Sequence, residues 1–191
     1  FNRTNGASPF AGVTFDAQGN LFGTAFRGGA NGDGTVWELA KGSSTITPLA
    51  SFNRTNGALP QAGVTFDAQG NLFGTAAGGG AAGAGTVWEL ANGSSSITRL
   101  ASSNIYNGVN PYGVTLDAHG NLFGTAGSGG ATGPNGVGTV WEFSSSFAVP
   151  EPSSLVLGLI SLAVTGGAAL LKHPRRSLRG RSERRNRVVT G

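Results

Sequence analysis

The chain contains neither cysteine nor methionine. The first absence excludes a disulfide framework and any thiolate metal site, and it is compatible with export without identifying a compartment. The second acquires meaning from the opening phrase Phe1-Asn2-Arg3-Thr4-Asn5-Gly6-Ala7, which recurs as Phe52-Asn53-Arg54-Thr55-Asn56-Gly57-Ala58. A chain that starts inside a repeat predicts a fragment or processed product with further repeats upstream. The lack of a visible secretory signal therefore carries little weight. Charge is also sparse, at 12% of residues, and unevenly placed. Residues 1–149 hold five basic side chains against seven acidic ones, a net −2, whereas residues 150–191 hold eight against two, a net +6. The basic pI thus belongs to the tail, which argues against nucleic acid as a partner of the whole chain.

What is present is repetition. Gly19-Asn20-Leu21-Phe22-Gly23-Thr24-Ala25 returns unchanged from Gly70 to Ala76 and again from Gly120 to Ala126, at spacings of 51 and 50 residues. In the second copy, Gly63-Val64-Thr65-Phe66-Asp67 alternates apolar and polar positions as a strand should. Ala68-Gln69-Gly70-Asn71 supplies residues that tolerate positive φ where the chain must reverse. Leu72 to Ala76 is the predicted return strand, Gly85 to Leu90 a third, and Ser96 to Ala101 a fourth, with a Gly/Ala loop from Ala77 to Ala84. Four short antiparallel strands per repeat of about 50 residues match one propeller blade. Alternation puts Leu72 opposite Phe73 and Val87 opposite Trp88, so both faces are apolar and blades must stack on neighbours. The expected fold class is all-β, with propeller-like tandem four-stranded repeats in an incomplete or open ring. The third copy differs: it has Leu116 and His119, a longer loop from Gly127 to Val137, and no fourth-strand phrase after Phe143.

From Val149 the composition changes. Leu155 to Leu171 is free of charge, and with Ser153 and Ser154 it would make a helix roughly 28 Å long at about 1.5 Å per residue. That approaches the ~30 Å of bilayer hydrocarbon. Lys172, Arg175, Arg176 and Arg179 lead the basic flank that follows, which predicts a cytoplasmic tail and extracytoplasmic repeats. The expected domains are residues 1–147 as tandem repeats (about 1–51, 52–102 and 103–147), 148–176 as a signal with a transmembrane helix at 153–171, and 177–191 as a disordered basic tail.

Val149-Pro150-Glu151-Pro152-Ser153-Ser154, the apolar span and the Arg cluster, in that order, resemble the PEP-CTERM sorting signal. The resemblance implies a bacterial surface protein exported by the general secretory route and processed by an exosortase near Pro150-Glu151-Pro152, often in company with exopolysaccharide production. The tail beyond Leu171 is longer than that signal usually carries. The repeats, with Gly-Asn-Leu-Phe-Gly-Thr-Ala, a Gly-rich loop and Gly-Thr-Val-Trp-Glu-Leu, resemble GloVer-type repeats of bacterial surface proteins. Asp-x-x-Gly-Asn-Leu-Phe is also similar to NHL-like propeller blades. No activity or cofactor comes with either resemblance.

Asp16, Asp67 and Asp117 could donate oxygen to Ca²⁺, but one carboxylate per turn suits an Asx-type cap better, and no metal site is expected. Glu38, Glu89 and Glu142 could line a channel, but pairing between blades or facing solvent explains them more simply. Trp37, Trp88 and Trp141 are the candidate ligand-contacting residues, because flat indole faces stack on sugars; their repetition favours packing between blades. The loop from Gly78 to Gly85 lacks the Lys and the helix that a phosphate site needs. His119 is the only His in the repeats and stands in no triad pattern. The glycosylation tripeptides at Asn2 and Asn53 have little force in a bacterial protein. No catalytic residue is predicted. The expected function is a non-enzymatic surface protein contacting carbohydrate or protein; the rival is an extracellular propeller hydrolase or lyase acting on polysaccharide.

Overall fold

The computed structural model describes residues 1–144. They form an all-β structure of three antiparallel sheets. The first sheet holds β1 (Thr14–Phe15), β2 (Leu21–Ala25), β3 (Thr35–Leu39) and β4 (Thr47–Ser51) in sequence order. The second repeats this with β5 (Thr65–Phe66), β6 (Leu72–Ala76), β7 (Thr86–Leu90) and β8 (Ile97–Ser102). The third has β9 (Val109–Leu116), β10 (Leu122–Ser128) and β11 (Thr139–Phe143), with β10 central. Among the described residues no helix is long and apolar enough to cross a membrane. The predicted helix at 153–171, Pro150-Glu151-Pro152 and the basic flank of Lys172, Arg175, Arg176 and Arg179 lie outside the described residues.

The hairpins form where the sequence pattern demands them. Gly70 N–H donates to Asp67 O at 3.2 Å, and Asp67 N–H donates to Asn71 O at 3.1 Å. Gly70 has φ +81°, a conformation that glycine adopts without steric cost. The first strand of each four-stranded sheet is shorter than its alternating pattern predicts, two residues in place of five. In the second repeat the backbone upstream of this strand is bonded to the neighbouring sheet. Thr14 Oγ1 donates to Val64 O at 2.6 Å, and Thr24 Oγ1 donates to Ala62 O at 2.9 Å, so these carbonyls bind the first sheet and not the ladder of their own.

Alternation along the strands then builds the core. Phe66, Leu72 and Leu90 occupy one face of the second sheet, with Phe66 and Leu90 both opposite Leu72 in register. They meet Phe22, Val36 and Ala50 of the first sheet in one buried cluster. The Phe22 and Phe66 rings lie 5.0 Å apart and nearly perpendicular, a favourable edge-to-face geometry. Burial of each large side chain in this seam stabilises by about 1.5–3 kcal/mol.

Among the described residues the third sheet has three strands, with a long β9. One residue between the positions of Gln61 and Gly63 has no counterpart in the third repeat, where Tyr112 adjoins Gly113 directly. The strand therefore runs on from Val109, with a bulge opposite Gly124 where Gly113 takes φ +65°.

Candidate functional site: the cleft between the first two sheets

Each Asp-x-x-Gly-Asn phrase folds into a closed hydrogen-bonded unit. Asp67 Oδ1 accepts from Gln69 N–H at 2.9 Å and Asn71 N–H at 2.8 Å, while Oδ2 accepts from Asn71 Nδ2 at 2.7 Å. Asp16 and Asp117 make the same three bonds within their own turns. The asparagine also reaches onward, since Asn71 Oδ1 accepts Asn92 N–H and Asn20 Oδ1 accepts Lys41 N–H, both at 2.9 Å. Asp and Asn together thus tie the first hairpin of a repeat to its last turn. These are the expected Asx-type caps. Desolvation pushes the Asp16 carboxyl up, but the bonds from Asn20, Gln18 and Gly19 outweigh it and hold the group below its ordinary value. Asp117 is lowered against the same opposing desolvation, by Asn121, His119 N–H and the His119 charge. His119 Nδ1 lies 3.6 Å from Asp117 Oδ2 on an exposed turn.

The tryptophans sit on glycine. Trp37 is opposite Gly23, Trp88 opposite Gly74 and Trp141 opposite Gly124 in the strand registers. A methyl group on Gly23 would lie 2.7 Å from Trp37 Cζ2, so the invariant Gly of the repeat phrase is the seat of the indole. Phe1 covers Trp37 edge-on at 5.5 Å, and Phe52 covers Trp88 at the same distance. Trp37 and Trp88 are buried, with indole N–H groups that meet no acceptor among the described residues. Trp88 also joins the core shared with the first sheet. Trp141 is only half-buried, and its Nε1 donates to Thr125 O at 3.1 Å. Of the three candidate ligand-contacting residues, then, two are buried and one is partly open.

The repeated glutamates diverge with their surroundings. Burial, and secondly the Asp67 charge, push the Glu89 carboxyl up. Glu142 is exposed and accepts a bond from Ser144 Oγ at 3.0 Å. Glu38 lines a cleft of about 720 Å³ between the first and second sheets, with Phe15, Phe22, Leu49, Phe66 and Leu72 as its apolar wall. Asp16, Asp67, Asn92 and Ser94 supply polar groups to the same cleft. An apolar wall with a few convergent polar groups is the general form of a small-molecule site. The sequence patterns did not single out Phe15, Phe66 or Asn92 as site residues, because the cleft joins positions one repeat apart. The signal that could have found it was the period itself, which places equivalent turns side by side.

No His/Cys/Asp/Glu group with the makings of a metal site occurs among the described residues. The profile of the Gloeobacter/Verrucomicrobia repeat matches residues 1–151. The chain belongs to this repeat family. The match covers all three sheets, so the sheet with its Asp-x-x-Gly-Asn turn and Gly-seated tryptophan is the structural form of the Gloeobacter/Verrucomicrobia repeat in this chain. No curated protein matches the chain.

Proposed function

We propose that this is an exported bacterial cell-surface protein whose repeats stack like propeller blades and serve as a non-enzymatic binding or scaffold module, possessing no catalytic centre of their own. The helix at 153–171 holds the precursor in the membrane, with the repeats outside and the basic flank in the cytoplasm, until an exosortase-like enzyme processes it near Pro150-Glu151-Pro152. Extracellular polysaccharide is the ligand class that this reading favours, with the cleft beside Glu38 and Phe66 as its contact.

The observation that carries the non-enzymatic half is the use to which the repeated aspartates are put. Asp16 and Asp67 border the cleft, and each accepts three hydrogen bonds from its own turn. A polysaccharide hydrolase or lyase needs carboxyl groups free to move protons. Support for blade-like stacking comes from consecutive antiparallel strands in each four-stranded sheet and from the first strands lying side by side through Thr14 Oγ1 and Val64 O.

The sorting reading is tested by cell fractionation of the wild type beside a variant with Pro150, Glu151 and Pro152 all replaced by Ala. Retention of the longer precursor in the membrane by the variant is expected. Identical processing and location of the two proteins would overturn the reading.

A further inference from the structure

The first two sheets meet through unlike surfaces. Phe22 and Glu38 stand opposite one another in register, so they share the face of the first sheet on which the Phe22 and Phe66 rings touch. The second sheet answers with Phe66, Leu72 and Leu90. Phe22, Leu72 and Leu90 are buried in this seam. Glu38, Leu49 and Phe66 are only half-buried, where the seam opens into the cleft of about 720 Å³.

Glu38 is the unusual member of this wall. It is half-buried, yet its carboxylate accepts no hydrogen bond and meets no cation among the described residues. Asp16 and Asp67 commit their oxygens to their own turns and stay ionised at the rim. Each ionisable side chain lining the cleft is thus a carboxylate, namely Asp16, Glu38 or Asp67. Lys41 runs beside Gly19 on the Asp16 turn and does not line the cleft. A low-dielectric cleft lined by one sign of charge focuses its field and concentrates the opposite ion. Asn92 adds a neutral acceptor: its Nδ2 donates to Gln69 O at 3.2 Å, and its Oδ1 accepts nothing among the described residues.

We propose that the cleft takes a protonated amino sugar, with its ammonium on Glu38 and its ring against Phe66. An ionised carboxylate only accepts and an ammonium only donates, so the pair satisfies Glu38 with a charge-assisted bond. The electron-rich face of the Phe66 ring attracts the same cation, Leu49 and Leu72 cover the apolar side of the sugar, and Asn92 Oδ1 receives a hydroxyl. A uronate or a sulfated sugar would be repelled by the three carboxylates, and an N-acetylated one would leave Glu38 without its counter-charge. Glycoside hydrolysis generally uses a pair of carboxyl groups flanking the bond, so one unengaged carboxylate suits holding a sugar and not cutting it. That assignment rests on the polysaccharide reading of the cleft and narrows it to one charge class.

Calorimetry on the full-length protein in mild detergent tests it, with three hexasaccharides as probes: glucosamine, its fully N-acetylated counterpart and galacturonate. The glucosamine probe should bind at least about tenfold more tightly than the acetylated one, the effect of one hydrogen bond to a charged group, and galacturonate should not bind. Glu38→Gln should erase this preference while leaving the circular dichroism and the affinity for the acetylated probe unchanged. Glu142→Gln, at the equivalent position of the third sheet, should keep the preference. Equal affinities for the charged and acetylated probes, tighter binding of galacturonate, or a preference that survives Glu38→Gln would overturn the amino-sugar assignment and leave the polysaccharide reading standing. Binding of no oligosaccharide at all would overturn both. Hexalysine, carrying the same ammonium without the sugar ring, should bind more weakly than the glucosamine probe; tighter binding that Glu38→Gln abolishes would give the cleft to a basic peptide instead.

Discussion

The second and third repeats carry the same tryptophan on the same glycine, yet the two residues live in different surroundings. Trp88 is sealed by Phe52 and by the first sheet, whereas Trp141 lacks the phenylalanine, which is Ser103 in its repeat, and remains half-open. The difference separates two contributions that identical sequence phrases conceal. The seat of the indole comes from its own sheet, and its lid comes from the upstream cap and the neighbouring sheet. A repeat phrase therefore specifies a shape more reliably than it specifies an energy.

The largest test of this contrast is truncation of the two tryptophans. Trp88→Ala should cost about 3–5 kcal/mol, as for other large buried aromatics, and Trp141→Ala no more than about 2 kcal/mol. Urea unfolding of both variants would measure the gap, and equal losses would show that the lid contributes nothing. A sharper form restores the missing lid. Ser103→Phe should gain roughly 0.5–1.5 kcal/mol from an edge-to-face ring pair with Trp141, and a neutral or unfavourable result would break the equivalence of the two caps.

The first and second repeats differ in a subtler way. Thr24 Oγ1 donates to Ala62 O, but Thr75 Oγ1 is buried without a partner among the described residues. The carbonyl it would reach belongs to the residue that the third repeat lacks between Tyr112 and Gly113. Thr24→Val should therefore cost about 1 kcal/mol, while Thr75→Val should be neutral or stabilising, since it removes an unsatisfied hydroxyl. Thermal denaturation of the two variants decides the matter.

The smallest effects are electrostatic and depend on pH. Asp117 is held below its ordinary value in the folded chain, so its contribution is complete above the ordinary aspartate range and is lost as pH falls through the lowered folded value. Asp117→Asn should accordingly lower the melting temperature at pH 7, with the difference from wild type closing in acid. Glu89 runs the other way. Its raised folded value penalises the charged form above the ordinary glutamate range, so Glu89→Gln should stabilise at pH 7 and do nothing below pH 4 or so. Solvent screening holds that gain to about 0.3 kcal/mol. Glu142→Gln, at the exposed equivalent position, should show no such gain.

Much of this architecture was legible in the residues. The strand Leu72–Ala76 and its partner beginning at Thr86 follow from alternation between turn residues. The Asp67 cap was legible too, because an Asp placed before Gly-Asn at a chain reversal has backbone N–H groups within reach of its carboxylate. The Gly74 seat was not legible, since it depends on which residue of β7 lies across the ladder. The abbreviated β5 was equally hidden. Its pattern is that of a full strand, yet it is cut to the same two residues as β1. The cleft beside Glu38 was invisible as well, being made by turns 51 residues apart.

What the residues settled alone was everything carried by short-range chemistry: the period, the turns, the alternation of faces and the location of the odd repeat. Contacts between sheets decided the rest, namely which valine is covered, which threonine finds an acceptor and which tryptophan is lidded. Local backbone preference acts over a few residues and is the same in every copy, whereas burial depends on what stands opposite, and that changes from the first sheet to the last.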